Sequence, residues 1–376
     1  MEITKQVSVS VTTGPWDDRV NKDVQRITLR NEQVTVEVTN LGCAVTAIYT
    51  PDKNGIQKNI VAGFPDVMDY EKNNHYLGCI IGRHSNRIAG AAFSINGNRY
   101  QLSQNDGTNH LHGGVEGFNK KLWAISSLIQ NEQEAGVVFE YLSKDGEEGY
   151  PGNLQVKVSY VLNDRNQLRM HYTASTDKST PVSLTNHSYF NLTGFDTPHI
   201  LDHILFINAH GYTPKKDSNT PAGHIENTNG TALNFFTPKT IGKDINCFPK
   251  DRGFDQTYVL AQNEYDQLAL AAELTELQTG RTLKVYTDQP AMQLYTANLW
   301  DGSIKGSQQV AYQQHGAVAL ETQAFTDNPN QPLFPSSILD PGKTYSAETI
   351  YEFGIQENKN IEQGTRNIES RSEKRT

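Results

Sequence analysis

The sequence predicts an all-β protein, a large sandwich of many strands with very few helices. Three observations carry this reading. Short runs of alternating apolar and polar residues recur at even spacing from Ile27 to Phe353. Turn-forming pairs and clusters separate them, among them Asn96-Gly97, the stretch DGEEGYPG and Asn163-Asp164-Arg165-Asn166. Few stretches read as helix; one is Phe64 to Asn73, which opens with Pro65 and Asp66.

Taken in order, Val34, Val36 and Val38 lie on one face of an early strand, and Ala44, Thr46 and Ile48 continue beyond a break at Gly42. AAFSINGNRYQL predicts a hairpin with a type I′ turn at Asn96-Gly97. Trp123 to Ser127, Gly136 to Leu142, Leu154 to Leu162 and Gln167 to Ser175 read as successive strands. Pro181 to Gly194, PVSLTNHSYFNLTG, alternates along its whole length and is predicted as one strand. Its polar face carries Ser183, Thr185, His187, Tyr189 and Asn191, a floor suited to something polar and ring-shaped. His203 to Ala209 is another strand, followed by a long polar connection from Tyr212 to Gly230. Glu264 to Glu276 has helical propensity, but Leu268, Leu270, Ala272 and Leu274 alternate, which predicts a strand turning at Thr279-Gly280 into TLKVYT. Met292 to Asn298, Gly316 to Phe325 and Tyr345 to Phe353 complete the set. With no repeat and no linker, residues 1–355 are predicted as a single domain. Residues 356–376 are polar with mixed charge, which predicts a disordered or weakly helical tail.

Composition narrows the function. The chain has 376 residues, a formal net charge of −9 and no basic stripe, which disfavours a nucleic-acid partner. The three cysteines, Cys43, Cys79 and Cys247, are widely spaced and unpaired in motif, so no disulfide framework is expected and a reducing, cytoplasmic setting is. No stretch approaches a membrane span, and the first residues lack an apolar signal region, so no membrane partner is expected.

Glu321, in GAVALETQAF, stands among small and apolar neighbours, where desolvation raises a carboxyl pKa and makes it a stronger base near neutrality. The competing explanation is a structural carboxylate paired with an arginine. His187, alone, would read as a core histidine; beside Thr185, Tyr189 and Asn191 it reads as part of a site. His110 and His112 in NHLHGG lack a third ligand at a recognised spacing, so no metal is expected. No GxGxxG after a strand, GKS/T or GxSxG motif is present, which leaves nucleotide binding and covalent acyl transfer without candidates.

The motifs GRHSNRIAG, NHLHGG, DGEEGYPG, TNHSYFNLTG, GFDQTY, AMQLYT, ALETQAF and NQPLFP, in this order, resemble the aldose 1-epimerase (galactose mutarotase) family from about Ile27 to Phe353. The resemblance implies a mutarotase-like β-sandwich (supersandwich) with a shallow sugar cleft on a concave sheet face. It implies interconversion of the α and β anomers of free aldohexoses such as galactose and glucose. Carried over motif by motif, it makes Glu321 the general base, His187 the general acid and His112 a further active-site histidine. Asn86, Arg87, Asp255, Gln293 and, in support, Tyr189 become the sugar contacts. Ser85 and His84 stand at positions that vary in the family, as does His110, which is not counted as catalytic. Opening a pyranose needs one proton removed from the anomeric hydroxyl and one given to the ring oxygen, and both groups are restored on closure, so no cofactor is expected. The expected partner is a small aldose, with the chain a monomer or a weak homodimer.

Three alternatives share these residues. A glycoside hydrolase would use Asp255 and Glu321 as its carboxylate pair. A phosphosugar epimerase would need more basic residues than the arginine of SNRI. A non-catalytic sugar-binding protein would bind the sugar without needing Glu321 as a base.

Overall fold

The computed structural model describes residues 9–16, 23–261 and 268–356, and its strands assort mainly into three antiparallel sheets. Nine strands form the largest, in the order Ala124–Gln130, Glu134–Ser143, Leu154–Asn163, Gln167–Thr176, Tyr345–Ile355, Arg281–Thr287, Ala269–Thr275, Ile204–Ile207 and Lys239–Thr240. Six form the second, in the order Tyr189–Phe190, Val318–Gln323, Ala291–Tyr295, Asp255–Leu260, Ala209–Thr213 and Glu226–Asn227. Five strands between Ser10 and Asn59 form the third, in sequence order. The one α-helix among the described residues is Val67–Glu71, shorter than the predicted Phe64 to Asn73. Asp66 caps it by accepting a hydrogen bond from the Met68 N–H.

Alternation explains how the sheets stack. Val156, Val158 and Tyr160 of the nine-stranded sheet join one buried cluster with Val318, Leu320, Met292 and Leu294 of the six-stranded sheet, and with Val36 and Val38 of the five-stranded one. Burying each such side chain contributes about 1.5–3 kcal/mol. The opposite face of the six-stranded sheet is then left to carry polar groups. This is an all-β sandwich, as the alternation predicted. The Asn96-Gly97 turn also forms, with Ile95 paired to Asn98 and positive φ at both turn residues (51° and 79°), as a type I′ turn requires.

Two strand assignments differ from expectation. Pro181 to Gly194 is not one strand: it makes three two-residue pairings, Thr180–Pro181, Thr185–Asn186 and Tyr189–Phe190, each with a different partner strand. It threads between elements, so residues 182–192 are buried on both faces and the polar alternation does not define one surface. Ser183 and Asn191 serve structure there, Ser183 against Ser85 and Asn191 against the carbonyls of Thr197 and Gly316. His203 to Ala209 also splits, because the chain crosses at Asn208 from the nine-stranded sheet to the six-stranded one. The strand expected within Glu264 to Glu276 is present as Ala269–Thr275, its earlier part lying outside the described residues, as does the predicted tail beyond Gln356. Cys43 and Cys79 are buried, Cys247 is exposed, and all three are free thiols. No helix among the described residues is long and apolar enough to cross a membrane.

The NHLHGG loop shows why its glycines are needed. Gly113 has φ of +85°, and a Cβ there would be driven into the Gly82 carbonyl. Gly113→Ala is therefore expected to lower the unfolding free energy by at least about 2 kcal/mol in urea titration; a loss below about 0.5 kcal/mol would show that the loop can relax.

Candidate active site

Register in the six-stranded sheet builds one wall of the site. Glu321 lies directly opposite Gln293, and Gln293 opposite Thr257. Two residues along, Ala319 lies opposite Tyr295 and Tyr295 opposite Asp255, with Tyr189 on the far side of Ala319. Side chains two apart on a strand share a face, so Glu321, Gln293, Asp255, Tyr295 and Tyr189 all project from the face opposite the core. The Gln293 amide is oriented from both sides: Thr257 Oγ1 donates to its Oε1 at 2.6 Å, and its Nε2 donates to Asp255 Oδ1.

The second wall comes from loops. His187 is fixed by its backbone, its N–H donating to Cys79 O (2.9 Å) while its carbonyl accepts from Gly78 N–H (3.0 Å). Arg87–Ile88 pairs with His110–Leu111, which brings Asn86 beside His112. The His112 N–H donates to Asn86 O at 3.2 Å, and the Asn86 N–H donates to His112 Nδ1 at 3.1 Å. Asn86, His112 and Tyr76 all sit in the left-handed region, with φ of 60°, 52° and 58°. Such strain persists only where surrounding contacts over-determine it, and it gathers here at the cleft.

Because Nδ1 of His112 accepts a hydrogen bond, the neutral ring carries its proton on Nε2. Burial, reinforced by the nearby His187 and Arg87, holds its pKa well below the ordinary histidine value, so this ring is a neutral donor. His187 is stacked on Tyr189 (4.6 Å between centroids) and meets the edge of His112 (5.4 Å). Its Nε2 lies 3.5 Å from Glu321 Oε1, and both side chains are almost wholly buried. Burial pushes His187 down to about 3; burial, then the charge of Asp255, pushes Glu321 up to about 8, against a smaller opposing pull from Arg87. Between these values the pair holds a single proton. Glu321 Oε2 is buried with no hydrogen-bond partner among the described residues.

Asp255 is surrounded. It lies 3.9 Å from Arg87 and 3.2 Å from Lys215, whose ammonium also reaches Asp251 at 2.9 Å. Arg87 Nε donates to Asp106 at 2.7 Å. Together the two walls enclose a cleft of about 390 Å³, within the range of small-ligand sites. The sequence-predicted residues His112, His187, Glu321, Asn86, Arg87, Asp255, Gln293 and Tyr189 all line it. His110 does not: its ring is held between the Ser103 carbonyl and the Tyr150 hydroxyl, each at 2.8 Å. Tyr76, Asp106, Tyr295 and Trp300 also line the cleft and were not singled out from sequence. Tyr295 was the one within reach, since it stands two residues from Gln293 on the same strand.

His112, His187 and Glu321 offer ligand atoms within 4.8 Å of one another, a two-histidine, one-carboxylate set that spacing along the chain does not reveal. The Asn86 N–H argues against metal ligation, because it leaves a proton on the His112 nitrogen that would have to bind the ion. The same nitrogen is well suited to donate to an oxygen of a ligand in the cleft.

The chain matches known proteins in sequence and in fold. The family model described as aldose 1-epimerase matches residues 25–352. A galactose mutarotase of Sus scrofa is 38% identical over 349 residues, covering 92% of this chain and 99% of that protein. An aldose 1-epimerase of Escherichia coli K12 is 34% identical over 334 residues, 87% of this chain and 94% of the other. Among solved structures, an aldose epimerase homologue from C. elegans superposes with a TM-score of 0.81 at 28% identity, covering 89% of this chain and 100% of the other. The galactose 1-epimerase of Lactobacillus acidophilus does so with the same TM-score at 26% identity, with coverages of 93% and 100%. The match runs nearly end to end in the relatives as well as here, and the chain belongs to the aldose 1-epimerase family of isomerases.

Proposed function

We propose that the protein interconverts the α and β anomers of free aldohexoses, galactose and glucose among them, with Glu321 as general base and His187 as general acid. One observation carries this reading: a carboxylate and an imidazole lie 3.5 Å apart, buried, at one end of a cleft whose other end is lined by amide and charged hydrogen-bonding groups. Burial favours the proton on Glu321, and the reactive form is the one in which it has passed to His187. Glu321 takes the proton of the anomeric hydroxyl as the C1–O5 bond breaks, and His187 delivers its proton to O5. The open-chain aldehyde turns about C1–C2, and the same two transfers in reverse close the ring on the other face. Proton accounting closes on these two side chains, so the step draws on no redox or group-carrying cofactor. His112, a neutral donor at Nε2, hydrogen-bonds the ring or anomeric oxygen, while Asn86, Arg87, Asp255 and Gln293 hold the hydroxyls away from C1.

The charge balance of the cleft supports a neutral sugar. Among the described residues, each cation at or beside the cleft faces a carboxylate, Arg87 with Asp106 and Asp255, Lys215 with Asp251 and Asp255, and Lys250 with Asp217, which offsets the positive charge a phosphate would seek. The name of the Sus scrofa relative, galactose mutarotase, supports galactose as a substrate. Asp255 is committed to Gln293 and two cations, which suits a hydroxyl acceptor better than the proton-donating partner a glycosidase needs.

Polarimetry of freshly dissolved α-D-galactose should show faster mutarotation with the protein than without it, and Glu321→Gln and His187→Ala should each lower kcat by about 10²–10⁴-fold. Loss of less than tenfold in both would remove the acid/base pair, and release of nitrophenol from a nitrophenyl galactoside would favour a hydrolase. The pH profile follows from the pair's single proton. Above about pH 8 the pair loses it and has no acid; towards pH 3 it gains a second and has no base. After correction for buffer catalysis, kcat/KM should therefore be flat from about pH 5 to 7 and fall on an alkaline limb near 8; an acid limb centred near 6.5, the ordinary histidine value, would contradict this.

A further inference from the structure

The long polar connection from Tyr212 to Gly230 contains a small hairpin that the reaction above does not use. Lys215 bridges to Pro221, Lys216 N–H donates to Thr220 O (2.8 Å), Asn219 N–H to Lys216 O (3.0 Å), and Ala222 N–H to Pro214 O (2.7 Å). Three pins fasten this hairpin across the cleft. Lys215 reaches Asp251 and Asp255, at 2.9 and 3.2 Å. Asp217 Oδ1 accepts from Lys250 at 2.7 Å, and the Ser218 carbonyl accepts from Asn109 Nδ2 at 2.9 Å. The first two pins hold the hairpin to the turn before the Asp255 strand, and the third to the loop that carries His112.

At the tip stands Asn219, in the left-handed conformation with φ of +58°, which asparagine tolerates better than most residues. It is half-buried and lines the cleft. It also lines a small concavity alongside, together with Asn86, Arg87 and Gln293. Its side-chain amide has no hydrogen-bond partner among the described residues, unlike Gln293 below it. An unengaged amide held by three pins over a sugar site offers one acceptor and two donors to hydroxyls.

We propose that Asn219 is a further sugar-binding residue that sets which aldohexose the cleft prefers. This rests on the proposed function, which puts C1 at the Glu321–His187 end. The adjoining concavity that Asn219 lines with Arg87, Lys215 and Thr257, and that neither Glu321 nor His187 lines, then meets the far side of the ring, where galactose and glucose differ in the orientation of the C4 hydroxyl. A site that hydrogen-bonds a hydroxyl discriminates against the sugar that cannot supply it there.

The test is Asn219→Gly, which removes the amide and keeps a residue that adopts positive φ readily. For galactose or glucose, KM should rise about 3- to 10-fold, the worth of one neutral hydrogen bond, with a smaller change in kcat, and the galactose-to-glucose ratio of kcat/KM should move at least about threefold. Equal KM increases for both sugars would overturn the assignment of preference. KM values within about 1.5-fold of wild type would overturn the contact itself. If the glycine variant melts early, Asp217→Ala replaces it: Asp217 is fully exposed, and releasing its pin should raise KM about twofold, with no change overturning the proposal. Wild-type protein is run in the same series. If it does not accelerate mutarotation, the proposed function fails, and the sugar dissociation constants of wild type and Asn219→Gly, read by calorimetry, decide this inference on their own; an equal affinity, or no binding by either, overturns it.

Discussion

One buried contact, Glu321 against His187, governs the site. A carboxylate among Ala319, Leu320 and Gln293 is too costly to keep ionised without compensation, and an imidazolium beside it would be equally so. Set 3.5 Å apart, Glu321 and His187 are both driven by burial towards their uncharged forms, and the reaction proposed above would use the pair by passing a proton from the carboxyl to the imidazole. Burial is the largest cause of both shifts, the rise at Glu321 and the fall at His187, so in the proposed mechanism the dryness of the site would set how the proton is divided between the two groups.

Keeping the pair dry and aligned explains much of the surrounding structure. Tyr189 stacks on His187 and Trp300 packs against Tyr189, so the imidazole cannot tilt away from Glu321. Behind the loop that carries Asn86, Arg83 is buried and donates to Ser143 Oγ (2.8 Å) and to the carbonyls of Pro151, Ser143 and Lys144 (2.9–3.0 Å). Burial lowers its pKa, yet four hydrogen bonds tie GRHSNRIAG to the two ends of the turn DGEEGYPG, three to Ser143 and Lys144 just before it and one to Pro151 within it. Two motifs far apart along the chain thus form one scaffold. The same economy appears at the far end of the cleft, where Asp255 is held by Gln293, Arg87 and Lys215 at once, so its position is set before any sugar arrives.

The sequence by itself determined the sandwich and most of its strands, because alternation is a local property that each segment carries without its neighbours. It also made Glu321 conspicuous, as a lone carboxylate in an apolar run, and the resemblance of eight ordered motifs marked His187, His112, Asn86, Arg87, Asp255, Gln293 and Tyr189, all of which come to one cleft. What it misjudged was Pro181 to Gly194. There the local period was right for a strand, but the chain crosses three sets of partners, and burial on both sides cancels the polar face. Only the tertiary structure decided the rest. The opposition of Glu321 to Gln293, the proton position on His112, the 3.5 Å contact and the hairpin pinned above the cleft all depend on pairings between segments tens to hundreds of residues apart. Register and burial are properties of those pairings, and no single segment contains them.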